Sequence, residues 1–503
     1  MQINYKIILL IFLILNLFIP LGMVPLFDLD EGAFSEATRE MLKNGDFITT
    51  YLNGELRFDK PILIYWLQAL SVTILGLNEF AFRFPSAVVG AIWVFGLFWF
   101  TKRYFDEKKA FLASFFLATS FQVNMISKAA IADSLLNMAI AFSMFFIWLY
   151  LDKRKKAYLY SAFAFIAVGV LTKGPVAIMI PLVVTFTYLL IKKELKLFFA
   201  MIFDLRGIAI FSIIALPWYI LEYIDQGEKF IDGFLLKHNV NRFKGAFEGH
   251  TGSLFYYIPV LLVGLMPFTT YFIKFLKQFK NILKDSMSLF LIIWFLFVFI
   301  FFSFSGTKLP HYIIYGYTPI FIFMAFYFDR VDFYTIVPIL LFFSLLLFFP
   351  EIISFAKVKK EYIKEMLEAV PNYFDIWYRL YLILATVSVL VVKFLKIDEL
   401  KKVIAIGFIF LSIVNFVVFP RYAKIAQQPI KEAALIAKKK NYKVIMQGIN
   451  TPSFMVYSQM LVQRREPKEG EILFTRKDYL KKIKKYKTIY SKYGIYLVKV
   501  IKK

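Results

Sequence analysis

Up to Pro420 the chain alternates between long apolar runs and short charged stretches, and the runs are about as long as a bilayer is thick. Reading each run as a helix gives thirteen crossings, at roughly 7–25, 84–101, 110–127, 132–151, 157–172, 175–191, 207–224, 254–276, 287–304, 311–328, 332–350, 377–395 and 401–419. Clusters of Lys and Arg separate alternate runs: KRYFDEKK (102–109), DKRKK (152–156), KKELK (192–196), KFLKQFKNILK (274–284) and KFLKIDELKK (393–402). They therefore share one side, and the bias of basic loops toward the cytoplasm makes it the inner one. Ile62–Leu77 stands apart. It is apolar, but a crossing there would put KRYFDEKK on the wrong side, and it is short, with Gln68 and two hydroxyls inside. We expect it at the outer interface or re-entering from it.

The pattern changes after Pro420. Ile425–Lys439 has a helical period, and 443–449, 471–474 and 493–500 read as short strands. The expected fold is an all-α polytopic membrane protein, residues 1–420, with a large first outer loop at 26–83. A small soluble α/β domain follows at 421–503 and, with an odd helix count, lies on the outer side. The first run lacks a small-residue cleavage site and is expected to stay as a helix.

Composition sharpens this picture at three points. There is no cysteine and there are only three histidines, so disulfides, thiolate chemistry and a His-rich metal cluster are excluded. The net charge is +25, and the segment from Arg421 carries 21 Lys+Arg against 5 Asp+Glu. No nucleic-acid recognition motif accompanies it, so attraction to anionic lipid headgroups is the simpler reading. The third point is the stretch Asp28–Pro61, which packs eight carboxylates against four cations directly after the first apolar run.

Candidate chemistry clusters on the outer face. Asp30 and Glu31 open a helix-like stretch; a partly desolvated carboxylate there suits a general base, and N-terminal capping is the structural alternative. Lys60, held extended by Pro61, suits a phosphate, or else it snorkels. Asp133 sits just inside an apolar helix, where ionisable groups are costly and functional, with an ion pair to nearby Lys128 as the alternative. Lys173 in LTKGP and Lys308 in SGTKLPHY repeat one device, a cation at a helix end broken by Gly or Pro. His238, Asn239 and Arg242 in KHNVNRF, with His250 and His311, add donors suited to phosphate or sugar hydroxyls. Asp59, His238 and Glu31 form a hard-ligand set compatible with a divalent metal ion without being diagnostic of one; no other cofactor is expected.

The stretches DEGAFSEATREMLKNGDFITTYLNGELRFDKPILIYW, RFPSAV, LTKGP, KHNVNRF…H and SGTKLPHYI resemble the bacterial GT-C glycosyltransferases. These are the lipid A aminoarabinose transferases and their protein O-mannosyltransferase relatives, which use polyprenyl-phosphate sugars. The resemblance runs in order across nearly all of the membrane part, and more loosely over the tail. It implies Asp30 as the catalytic acid, Asp133 as the second acidic position, and Lys60 as the lysine that grips the donor phosphate. Ala33, Phe34 and Asp59 depart from the Arg, Tyr and Glu of the aminoarabinose branch, which leaves the sugar and the acceptor open.

The expected activity is transfer of a sugar from a polyprenyl-phosphate donor to a lipid (lipid A-like), glycan or protein acceptor. It would occur at the periplasmic face of a bacterial inner membrane, with no nucleic-acid partner. A transporter or flippase of lipid-linked sugars is the alternative; it would more often show paired halves with ions near the midplane, and no repeat is visible. A bare scaffold explains Asp133 poorly. The topology is testable in this cysteine-free chain: single cysteines at positions 240 and 460 should be labelled from the outer side, and labelling only from the cytoplasm would overturn the orientation.

Overall fold

The computed structural model describes residues 4–234, 252–278 and 285–502. All thirteen apolar runs are helical within those residues. Seven helices are long and apolar enough to cross a membrane, or nine when two bent pairs each count as one span. The seven begin with Tyr5–Gly22 and end with Glu399–Ala426. Among the described residues, length and composition thus support up to nine of the thirteen expected crossings. Val176–Ile191 and Phe333–Leu347 are short apolar helices, and Tyr257–Gly264 with Thr269–Lys277 folds back at 119°. Ile62–Leu77 forms a 13-residue helix, Leu63–Leu75, about 20 Å long against a hydrocarbon core of about 30 Å.

Local chemistry sets the helix ends. The elements that frame the site are α1 (Tyr5–Leu13), α2 (Asp30–Asn44), α3 (Leu63–Leu75), α4 (Glu79–Lys102), α5 (Glu107–Thr119), α6 (Phe121–Lys128), α7 (Asp133–Lys153) and α8 (Lys156–Lys173). Asn78 and Asp106 cap α4 and α5 by accepting from the backbone N–H of Ala81 and Lys109. α2 opens on Asp30 and Glu31, favoured at a helix N-terminus, and ends on Gly45 in a left-handed conformation. Large side chains such as Leu205, Ile213 and Phe394 remain exposed on the long helices, as expected of a surface that meets lipid rather than water.

One end of the bundle is knitted by the basic clusters. Arg154 pairs with Glu194 at 3.1 Å, Tyr104 donates to Asp152 at 3.0 Å, Lys156 pairs with Asp204, and Lys274 reaches Asp329 and Asp332. The Asp28–Pro61 stretch, Asp133 and Lys173 gather at the opposite end. There α2 is buried from Glu31 to Met41 and packs on α3 and on the helix Pro452–Ser458 of the C-terminal segment.

That C-terminal segment is a four-stranded sheet of β3 (Val444–Met446), β4 (Ile472–Arg476), β5 (Lys485–Lys492) and β6 (Ile495–Lys502), in the order β3-β4-β6-β5. β3 and β4 run parallel, while β4–β6 and β5–β6 are antiparallel. A two-residue turn at Tyr493–Gly494, both with positive φ, joins β5 to β6 as this kind of hairpin requires. Ile430, Ala433 and Ala437 of the helix Gln428–Lys439 pack against Val444, Phe474 and Leu497. β5 escapes a reading by hydrophobic pattern because KYKTIYSK is largely polar and exposed. A separate hairpin, β1 (Tyr51–Leu52) with β2 (Glu55–Leu56), lies in the first loop.

The segment is tied to the first loop by polar contacts. Asp28 accepts from the Ser453 backbone N–H at 2.9 Å and from its hydroxyl. Leu26 N–H donates to Tyr457 Oη at 2.7 Å, and Asn53 exchanges two bonds of 2.8 Å with the Val462 backbone. Gly32 makes this approach fit: a Cβ there would lie 2.6 Å from Ser453 N. Burial pushes the Asp28 carboxyl up to about 7, although both Ser453 bonds pull it the other way. The docked form therefore binds a proton that the undocked form, with its carboxyl near about 4, releases. Docking should weaken as pH rises from about 4 to about 7. Hydrogen exchange of Pro452–Ser458 should speed up across that window, and Asp28→Ala should flatten the dependence; an unchanged profile in Asp28→Ala would assign it elsewhere.

Candidate functional site

Asp133 opens α7 and is buried, and what surrounds it defines the site. Lys173 Nζ, at the C-terminus of α8, lies 2.6 Å from its Oδ1. Tyr315 Oη donates to the same oxygen at 3.4 Å, and His311 Nε2 stands 3.7 Å away. Lys173 also lies 5.7 and 5.6 Å from the ring centres of Tyr312 and Tyr315, a cation–π distance. Lys60 is the further cation close enough to attract the Asp133 charge. The Lys128 alternative is corrected by this geometry: Lys128 hydrogen-bonds Asn415, and Asp133 pairs with Lys173, forty residues later in the chain.

The backbone of LTKGP explains how Lys173 is delivered. Gly174 has φ +80°, which ends α8 and turns the chain, and a Cβ there would meet Phe234 at 2.7 Å. In SGTKLPHY the chain winds as a 3-10 turn, Pro310–Gly316, and presents His311, Tyr312 and Tyr315. Lys308 behaves differently from Lys173. It is buried, and its Nζ donates to the Ser305 carbonyl at 2.7 Å, within its own loop.

Asp30 is exposed in the first turn of α2. Its charge acts on Arg57, which is buried, lies over the Phe34 ring at 5.3 Å and stands 3.3 Å from Asp59. Lys60 is half-buried and donates to the Asp59 carbonyl at 2.9 Å. The FDKP segment is thus held against α2 by Arg57, a residue to which the sequence reading gave no role. Asp59 faces a guanidinium, and His238 lies outside the described residues together with Asn239, Arg242 and His250. Among the described residues no group of three His, Cys, Asp or Glu is placed to hold a metal ion.

Glu31 takes a structural post next to Asp30. Its two oxygens accept from Arg83 Nε and Nη2 at 2.7 Å each, and also from the backbone N–H of Ala130 and Phe27 at 2.8 Å. Arg83 spends its remaining donors on the carbonyls of Leu21, Val24 and Pro25. Every N–H of this guanidinium has an acceptor, so the pair is buried at full satisfaction. Its sequence signal was a lone arginine directly before the apolar run at 84–101. The pair fixes the end of the first span, the start of α2, α4 and the residues leading to Asp133 as one unit.

Comparison with known proteins sets this geometry among relatives. The family profile of dolichyl-phosphate-mannose-protein mannosyltransferases matches residues 59–221. An uncharacterised protein of Aquifex aeolicus is 31% identical over 303 residues, spanning 60% of this chain and 68% of that one. An undecaprenyl phosphate-alpha-4-amino-4-deoxy-L-arabinose arabinosyl transferase of Wigglesworthia glossinidia brevipalpis is 28% identical over 64% of this chain. The match spans 58% of that transferase's length. The crystal structure of ArnT from Cupriavidus metallidurans bound to undecaprenyl phosphate has the same fold. It superposes with a TM-score of 0.83 at 18% identity, covering 98% of this chain and 97% of that one.

The Glu31–Arg83 geometry makes a prediction that separates scaffold from chemistry. Arg83→Ala leaves a buried carboxylate unpaired and should destabilise the protein by about 3–5 kcal/mol. Thermal unfolding in detergent should show this without any substrate, and an unshifted midpoint would return Glu31 to the list of reacting groups.

Proposed function

We propose that this chain, which belongs to the GT-C polyprenyl-phosphate glycosyltransferases of the ArnT and protein mannosyltransferase type, transfers a sugar from a polyprenyl-phosphate donor to an acceptor at the non-cytoplasmic face of a bacterial inner membrane. The observation that carries this reading is the constellation around Asp133, with Lys173, Lys60, His311 and Tyr315 gathered where helices end. Asp133 holds Lys173 by one of its three N–H donors, which leaves the other two for phosphate oxygens. Lys60 brings a second cation to the same place. The polar groups collect at one end of the bundle rather than at its middle, which favours a transferase over a carrier.

The reaction follows from that arrangement. The acceptor hydroxyl oxygen forms a bond to the anomeric carbon while the bond from that carbon to the phosphate oxygen breaks. The electron pair leaves with the polyprenyl phosphate, and the acceptor proton passes to the exposed carboxylate of Asp30. Lys60 and Lys173 offset the charge that grows on the departing phosphate. The donor arrives activated, so this scheme needs neither a nucleotide nor a step through a metal. His238, Asn239, Arg242, His250 and Lys308 remain proposed as donors to sugar or phosphate. The unit 1–420 would carry the chemistry and 421–503 would cover its outer face. The sugar is a polyprenyl-linked hexose or pentose, with an aminoarabinose suggested by the name of the Wigglesworthia relative, and the acceptor is a lipid (lipid A-like), glycan or protein.

Release of polyprenyl phosphate from a labelled donor, measured beside donor binding, tests the scheme. Asp30→Asn should lower turnover by about two to four decades with donor affinity little changed. Lys60→Ala should weaken donor binding by about one to two decades, and Lys60→Arg should keep part of it. Asp133→Asn should lower turnover as well, by releasing Lys173. Full turnover in Asp30→Asn would remove that residue from the mechanism. Wild-type protein that binds donors yet releases no phosphate with any acceptor would sink the transferase reading.

A further inference from the structure

A second polar centre lies on the other side of the segment that carries Asp133. Lys128 ends α6, is only 8% exposed, and donates to Asn415 Oδ1. Its ammonium also stands 5.8 Å from the Phe419 ring centre. Two of its three N–H groups are left without an acceptor among the described residues. The nearest carboxylate, Glu31, is fully committed to Arg83 and two backbone groups. Arg83 adds like-charge repulsion on Lys128. A buried ammonium with no anion of its own is costly to keep.

The ammonium lines a cavity of about 270 Å³. Its other walls are mostly apolar, with Leu21, Val24, Phe27, Met125 and Phe419 prominent, and the mutually paired Glu31 and Arg83 line it as well. Phe27 packs on Phe419 with ring centres 4.9 Å apart and stacks on Tyr422 at 5.8 Å. Ile19, Met23 and Tyr422 are about half exposed. The two helices on either side depart from α geometry at this level. Ile14–Phe18 and Ile413–Val418 are both π-helical turns, each buries an asparagine, and Asn415 Nδ2 donates to the Asn16 carbonyl at 2.8 Å. Paired π turns beside a cavity are a recurrent mark of functional sites.

We propose that this cavity binds the phosphate of an anionic membrane lipid, with Lys128 as its cation, Asn415 holding Lys128 in place, and Phe27, Met125 and Phe419 receiving the adjoining apolar part. The proposal rests on the cavity alone and stands whether or not the chain transfers a sugar. A phosphate supplies the negative charge and the acceptors that Lys128 lacks, and a lipid supplies the apolar body that the walls lack.

Native mass spectrometry of the full delipidated chain tests it, with dioleoyl phosphatidic acid, dioleoylglycerol and inorganic phosphate as probes. Phosphatidic acid should bind saturably and dioleoylglycerol should not. Lys128→Met should weaken phosphatidic acid about tenfold or more, while Lys128→Arg and Lys60→Ala retain it. Loss in Lys60→Ala with none in Lys128→Met would move the lipid to the Asp133 site and overturn the proposal. Displacement by millimolar inorganic phosphate would make this a free-phosphate site and overturn its lipid part. Should Lys128→Met fail to assemble, a photoactivatable phosphatidic acid decides on the wild type. Labelling of peptides around Met125 and Phe419 supports the site, and labelling confined to those around Lys173 refutes it.

Discussion

The arrangement of one end of this protein's helix bundle depends on one buried ion pair. Glu31 and Arg83 each have every bond satisfied, and between them they bind the chain leaving the first span, the start of α2, α4 and the backbone at Ala130. Burying two charges is worthwhile only when geometry and extra hydrogen bonds recover the lost hydration, and this pair meets that condition. Asp30 precedes Glu31 directly, and Asp133 lies three residues beyond Ala130. The two acids therefore inherit their positions from the same clamp. Asp30 stays exposed because its neighbour is the one that turns inward.

Around that clamp the charges sort by role. Arg57 lies against Phe34 and Asp59, holding the FDKP segment on α2, while Lys60 donates to the Asp59 carbonyl within electrostatic reach of Asp133. Lys173 is brought in from the far end of α8 by a glycine turn, and Lys308 is turned back onto its own loop. Cations that read alike in the sequence thus divide into those that fasten backbone and those that converge on a carboxylate. Arg83 takes the fastening post that five donors in a fixed fork suit it for, while among the lysines Lys173 converges on Asp133 and Lys308 stays on its own loop.

Much of this was legible in the amino-acid order. The apolar runs, the polar Asp28–Pro61 stretch, the C-terminal α/β segment and the buried position of Asp133 all follow from hydropathy and sequence order. The partner of Asp133 was not legible, because the nearest cation in sequence, Lys128, lies on the other side of a bend that no local pattern encodes. Run length marks where apolar helices lie, but some of those helices are short or folded back among the described residues, so length alone does not fix the number of crossings. Glu31 read as chemistry because acids adjoining a suspected base look alike until the partner on another helix is seen. The tail's strand β5 was hidden by lysines and a serine on an edge strand, where the pattern is weakest.

The tie between Asp28 and Ser453 has a consequence for how the chain is made. Its partners are separated by 425 positions, and those of the Leu26–Tyr457 bond by 431. At synthesis rates of about 5–20 residues per second, roughly 20 to 85 s pass between the two halves of such a contact. For that time the N-terminal polar loop stands uncovered, with Gly32 and its surroundings open where Ser453 will later sit. Contacts of such high order form last, so the first loop reaches its finished shape only after the final strands are in hand. A ribosome that stops short of the tail leaves a bundle in the membrane whose first loop has never closed.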